Sequence, residues 1–313
     1  MKIRLAQFPK IFQLMVVAVT VCSTSLLGQD FTWTLTSAPN KDWRSVASSS
    51  DGTKLVAVVP GGAVFDPVGG IYISTDSGTN WTLTSAPNTN FWIPVASSSD
   101  GTKLVAADEN SGGIYTSTDS GTNWTLTSAP SARWQSVASS SDGTKLVAVV
   151  LVEGGIYTST NSGANWIPTS APTNQSWQSI ATSSDGTKLM AVADGGGIYT
   201  SKDSGTTWTQ PSVPGTLGAD WVSVASSSDG TKLVATSQLG IYTSADLGTT
   251  WTSNNIPAYF APIDRTHMVE NLLSKTPKTT KIRIENKDVE AVRHALDSYQ
   301  DLRDRLEFIT KIF

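Results

Sequence analysis

The stretch Ser74-Thr75-Asp76-Ser77-Gly78-Thr79-Asn80-Trp81 returns at residues 117–124, 159–166, 201–208 and 244–251. Its acidic position reads Asp76, Asp119, Asn161, Asp203 and Asp246, so successive copies lie 43, 42, 42 and 43 residues apart. An interval that constant means one supersecondary unit copied in tandem, and its length suits a four-stranded sheet with its turns.

Between copies the same signals return in the same order. After Trp81, residues 82–86 alternate and stop at Pro87. A variable loop leads to Trp92 and the small residues Val95-Ala96-Ser97-Ser98. Asp100-Gly101 marks a tight turn, and Lys103-Leu104-Val105-Ala106-Ala107 follows as an apolar run, as expected for a strand covered on both faces. A second variable loop ends in glycine before Ile114-Tyr115-Thr116-Ser117, which runs into the next eight-residue motif. The unit is thus four antiparallel strands, A to D. The A–B turns at Asp51-Gly52, Asp100-Gly101, Asp142-Gly143, Asp185-Gly186 and Asp229-Gly230 mark five complete units. One such sheet cannot bury both its faces, so radial stacking into a β-propeller is the expected architecture, with a β-solenoid as the alternative.

Ser-x-Asp-x-Gly-x-x-Trp resembles the Asp-box, or BNR, repeat of sialidases, sortilin-type receptors and photosystem II assembly factors of the Ycf48 kind. The resemblance covers residues 31–255, with Asn161 and Leu247 as departures. It implies an all-β Asp-box propeller of about five four-stranded blades. It also implies that Asp76, Asp119, Asn161, Asp203 and Asp246, with Trp81, Trp124, Trp166, Trp208 and Trp251, are structural. An aspartate two residues before a glycine accepts backbone N–H groups in a tight turn, and the tryptophan covers the hairpin. Residues 31–37 read as a further D strand, so the ring is either five blades with a spare N-terminal strand or six blades with one degenerate.

Three segments differ in composition. Residues 1–28 carry Lys2, Arg4 and Lys10, an apolar run at 11–21 and small residues after it, the pattern of a cleaved secretory signal. The apolar run is shorter than the roughly 20 residues of a membrane span, so no stable insertion is expected after cleavage. Cys22 is the one cysteine, so residues 29–313 carry no disulfide and no thiolate metal site. The propeller region, 29–257, holds 9 basic and 17 acidic residues, which argues against a nucleic-acid partner. Residues 258–313 are dense in charge and read as a small α or α/β tail. Val289, Val292, Leu296, Tyr299, Leu302, Leu306, Ile309 and Phe313 recur at helical spacing, a stripe for packing on the propeller or for self-association.

Strand direction places the near-identical A–B turns and the Asp-boxes on one face, and the variable B–C and D–A loops on the other. Binding sites usually lie on variable loops held by a rigid scaffold. The candidate ligand-binding residues are therefore Trp43, Trp92, Trp134, Trp177 and Trp221, at the start of each A strand, with Asp108, Glu109, Glu153 and Asp194. Exposed indoles would stack on sugar rings or hold a cationic group; the other reading is that each tryptophan packs between blades. A sialidase needs a three-arginine clamp, yet residues 29–257 contain only Arg44 and Arg133. Phe91-Trp92-Ile93-Pro94 lacks the arginine of the sialidase signature. No phosphate loop, metal cluster or nucleophile–base pair is legible. The expectation is a secreted, periplasmic or cell-surface binding propeller without catalytic residues, metal or cofactor, recognising a protein or a glycan. The alternative is a glycoside hydrolase using acids such as Glu153 and Asp194.

Overall fold

The computed structural model describes residues 35–61, 69–110, 112–152, 154–213 and 219–254. The signal-like segment, residues 258–313 and Glu153 lie outside the described residues.

Blade 1 consists of β1 (Ser45–Ser48), β2 (Leu55–Val59), β3 (Gly70–Ser74) and β4 (Thr82–Leu83). Blade 2 is β5 (Trp92–Ser97), β6 (Leu104–Asp108), β7 (Ile114–Ser117) and β8 (Thr125–Leu126), and blade 3 is β9 (Trp134–Ser139), β10 (Leu146–Val150), β11 (Ile156–Ser159) and β12 (Ile167–Pro168). Blade 4 has β13 (Ser176–Thr182), β14 (Leu189–Asp194) and β15 (Gly197–Ser201), and blade 5 has β16 (Trp221–Ser226), β17 (Leu233–Ser237), β18 (Gly240–Ser244) and β19 (Thr252–Asn254). Within each blade the strands pair in chain order and antiparallel, the four-stranded meander expected. Blade 4 departs from it. Its fourth position is a single bridge, Thr200 to Thr209, with Pro211 two residues beyond. The first strands β1, β5, β9, β13 and β16 contact one another in succession, so A is the innermost strand.

Two turns per blade set this geometry. In the A–B turn Gly52 has φ 72°, open to glycine without cost. Asp51 Oδ1 accepts from Ser49 Oγ at 2.6 Å and from the Thr53 N–H at 3.0 Å. In the Asp-box, Ser74 Oγ accepts from the Gly78 N–H at 2.9 Å and donates to Asp76 Oδ1 at 2.8 Å. Asp76 Oδ1 also takes the Asn80 N–H at 2.8 Å, while Oδ2 takes Asn80 Nδ2 at 2.7 Å. Trp81 donates its indole N–H to Gly78 O at 3.0 Å. Asn161 keeps the first of the aspartate's two roles, accepting from the Asn165 N–H at 2.9 Å, as an amide oxygen can. The two turns of a blade are tied together, since the Ser77 N–H donates to Thr53 O at 2.9 Å and later blades repeat the bond.

The core lies between blades. One cluster joins Val56, Val58 and Ile71 of blade 1 to Trp92, Val95, Leu104 and Ala106 of blade 2. The same positions recur at the next three junctions. Trp92, Trp134 and Trp177 are 0% exposed and Trp221 is 1% exposed. Each meets a tyrosine of its own blade edge to face, with ring centroids 5.0–5.4 Å apart. A register shift at or beside the tryptophan in β5, β9, β13 and β16 re-aims the chain there. Near the axis a backbone ladder runs blade to blade. The Ser50 N–H donates to Ser99 O, Ser99 to Ser141, Ser141 to Ser184 and Ser184 to Ser228, at 2.7–2.8 Å. The lysine after each turn lies across the next blade's turn glycine, so that a methyl group on Gly101 would sit 2.8 Å from the Lys54 stem.

Residues 31–34 of the expected N-terminal D strand lie outside the described residues. No strand is assigned to residues 35–37, yet Ser37 Oγ donates to Thr79 O as Ser85 does to Thr122 and Ser128 to Ala164. Trp43 donates its indole N–H to Pro39 O as Trp92 does to Pro87 O. Residues 36–39 thus stand against blade 1 where the outer strand of a preceding blade would stand.

Three outcomes follow from this packing. Trp177→Ala should lower unfolding free energy by about 3–5 kcal/mol, because the void opens inside a blade junction; urea titration measures it. Leu247 holds φ 62° where the other Asp-boxes place serine. Leu247→Asn should therefore raise stability by about 1 kcal/mol, the usual left-handed penalty of a branched side chain, read as a higher melting temperature. The hydrogen bond from Ser49, Ser98 and Ser140 respectively, followed by those from the threonine two residues on, holds Asp51, Asp100 and Asp142 at about 2, below the ordinary 3.8. The folded form binds fewer protons than the unfolded form between those values. The urea midpoint should accordingly be flat above about pH 4 and fall toward pH 2, and Asp100→Asn should flatten part of that fall.

Candidate functional site

The B–C and D–A loops meet on the face opposite the turns. Backbone bonds cross between them: the Gly61 N–H donates to Asn90 O at 2.8 Å, Glu109 to Phe91 O at 3.0 Å and Leu151 to Arg133 O at 2.8 Å. Main-chain bridges Pro60–Phe91, Gly154–Gln175 and Asp194–Asp220 join the loops of neighbouring blades. The loops therefore form a belt whose backbone groups are largely satisfied internally, leaving side chains to face solvent.

The sequence-derived candidates fare differently within this belt. Trp92, Trp134, Trp177 and Trp221 are buried in the blade junctions and present no ring face to a ligand; the packing reading describes them. Trp43 alone is half-buried, at the edge of blade 1 beside Tyr72 and Trp81. Asp108, 7% exposed, serves its own loop: its Oδ1 accepts from the Phe91 N–H at 3.2 Å and the Asn110 N–H at 2.8 Å. Glu109 pairs with Arg133 of the next blade at 3.1 Å. That partly exposed pair contributes at most about 1 kcal/mol. Asp194 is exposed beside Asp220. The water displaced by neighbouring loop atoms, then the hydrogen bond and charge of Asp220, raise the Asp194 carboxyl above its ordinary value. The acids are thus spread round the belt, each with its own local partner. Among the described residues no group of three or more His, Cys, Asp or Glu side chains gathers as a metal site would require.

Two residues that charge-based reasoning passes over stand out. Val152 and Leu239 are 49% and 51% exposed at the tips of the third and fifth B–C loops. In the sequence Val152 follows Leu151 in a loop completed by Glu153 and two glycines, and Leu239 follows Gln238. Gln135 and Gln178, one position beyond the tryptophans of adjacent A strands, are joined by an amide hydrogen bond of 3.3 Å.

Comparison with known proteins agrees with the architecture. The structure of a Niastella koreensis GH74 enzyme is similar at TM-score 0.53 and 21% identity, over 69% of this chain and 32% of that one. YCF48 from Cyanidioschyzon merolae is similar at TM-score 0.50 and 19% identity, covering 69% and 72%. A chain of a nidogen/laminin complex is similar at TM-score 0.55 and 12% identity, covering 71% and 82%. At these identities the likeness establishes the fold, and the chain spans about a third of the GH74 enzyme's length. No curated protein matches the chain. The family model described as photosynthesis system II assembly factor YCF48 matches residues 71–263, well over half of the sequence. With the five Asp-boxes and the blade geometry in place, this chain belongs to that BNR-type propeller family.

Proposed function

We propose that this chain is a non-catalytic propeller, exported by its signal-like N-terminal segment, that binds a protein partner through the variable-loop face. The observation that carries this reading is the pair of exposed aliphatic tips, Val152 and Leu239, on the same face as the neighbouring exposed acids Asp194 and Asp220. Aliphatic tips on a face that also carries a pair of aspartates suit a partner surface with apolar and basic side chains. Membership of a family described as an assembly factor supports a protein ligand. A glycan ligand loses its main support, because the four buried tryptophans offer no stacking platform. The GH74 likeness is one of fold, and among the described acids Asp108 is tied up by its own loop and Glu109 by Arg133.

Affinity capture from the envelope fraction of the source, with wild type and Val152→Glu/Leu239→Glu as baits, tests the reading. Proteins enriched by wild type should drop at least tenfold with the double variant, while its melting temperature stays within about 2 °C because both sites are solvent-facing. Equal capture by both baits would overturn the assignment, as would turnover of any chromogenic glycoside by the wild-type chain.

A further inference from the structure

Each blade junction is built from two unlike halves. The trailing half comes from one blade: two alternate residues of strand B, the first isoleucine of strand C and the lysine after the turn. The leading half comes from the A–B hairpin of the next blade: the tryptophan, the β-branched residue three positions on, the first leucine of strand B and the turn glycine. At four junctions the trailing residues are all but inaccessible. Val56 and Val58, Val105 and Ala107, Val147 and Val149, and Met190 and Val192 are 0–2% exposed, as are Ile71, Ile114, Ile156 and Ile198.

Among the described residues no further blade follows blade 5, and the same half is less completely buried there. Val234, Thr236 and Ile241 are only half-buried, and Lys232 is exposed where Lys54, Lys103, Lys145 and Lys188 are half-buried over a glycine. Among the described residues the axial backbone ladder stops at Ser228, and no bond joins that turn to Ser50. At the other end, blade 1 shows an uncovered leading half. Val46 is 54% exposed, against 7% for Val95 and 8% for Val224, and nothing lies within 4 Å of a methyl group placed on Gly52.

We propose that the flank of blade 5 formed by Lys232, Val234, Thr236 and Ile241 is a docking surface for a β-hairpin of a partner protein. The hairpin carries the leading-half chemistry: a tryptophan and a branched aliphatic residue on one face, and a glycine at its turn to receive the lysine stem. The four internal junctions are the template for this contact. A second copy of the chain fits poorly, because its blade 1 is bordered by residues 36–39, which already occupy the place of a neighbour's outer strand. Residues 255–313 contain neither tryptophan nor glycine, and so lack the two residues the contact needs. This surface is separate from the loop face, and the proposal does not rest on that reading.

The test uses the full chain with Cys22→Ser and a single added cysteine, Ile241→Cys, and follows the rate of maleimide labelling under native conditions. The probe is a synthetic peptide of residues 88–108, which holds Trp92, Val95, Gly101, Leu104 and Ala106 on one hairpin. Labelling is expected to be fast in the free chain and at least tenfold slower with saturating peptide. It should be unchanged by the Trp92→Ser peptide, and Val46→Cys, on the opposite flank, should label at the same rate with and without probe. Four results would overturn the proposal. Slow labelling of the free chain at every concentration means the chain covers its own flank. Slowing that grows with protein concentration means a second copy covers it. Fast labelling that the peptide leaves unchanged means the flank takes no such hairpin. Equal protection of Ile241→Cys and Val46→Cys means the peptide binds without selectivity.

Discussion

A four-stranded sheet that is apolar on both faces cannot satisfy itself, and the whole structure follows from that constraint. Strands β6, β10 and β14 are buried almost throughout, which no single sheet in water permits. The cover comes from the next blade, whose tryptophan, branched residue and leucine fill the space. Hydrogen bonding then fixes orientation. The Asp-box and the A–B turn are joined to each other within a blade, and the serine ladder joins turn to turn across blades. Hydrophobic burial supplies the cohesion, and the turns supply the angle at which it is applied.

The fold was legible because its signals are local and repeated. Asp-Gly at a turn and Ser-x-Asp-x-Gly-x-x-Trp at a hairpin each require a backbone shape that few other residues adopt, and five copies in phase leave little freedom in strand order. The position of residues 36–39 was legible for the same reason, since Thr36-Ser37-Ala38-Pro39 matches Thr84-Ser85-Ala86-Pro87. The candidate site was less so. A tryptophan at the head of strand A has the same composition whether it faces a channel mouth or a neighbouring blade. The local register shift that turns it inward depends on pairing with strand B, which no single stretch of sequence reveals. Asp108 misleads in the same way, because its partners are its own loop and Phe91, 17 residues away.

Among the described residues the loop face presents two aliphatic tips, an ion pair and a pair of neighbouring aspartates. Such a surface, among the described residues, has the makings of recognition. The turn face is the converse. It is rich in aspartates, but their oxygens are engaged by serine, threonine and backbone donors that keep them ionised and occupied.

The lysine that lies across the next blade's glycine gives every junction a direction, with a donor side and a receiver side that never exchange roles. A chain assembled from directional joints of one kind grows or shrinks by whole repeats without a new interface, which makes gene duplication an easy route to arcs of other lengths. It also makes the end blades, each with a single neighbouring blade among the described residues, the places where unzipping begins. Protease sensitivity and hydrogen exchange would then be graded along the arc, with blade 3 the last to open.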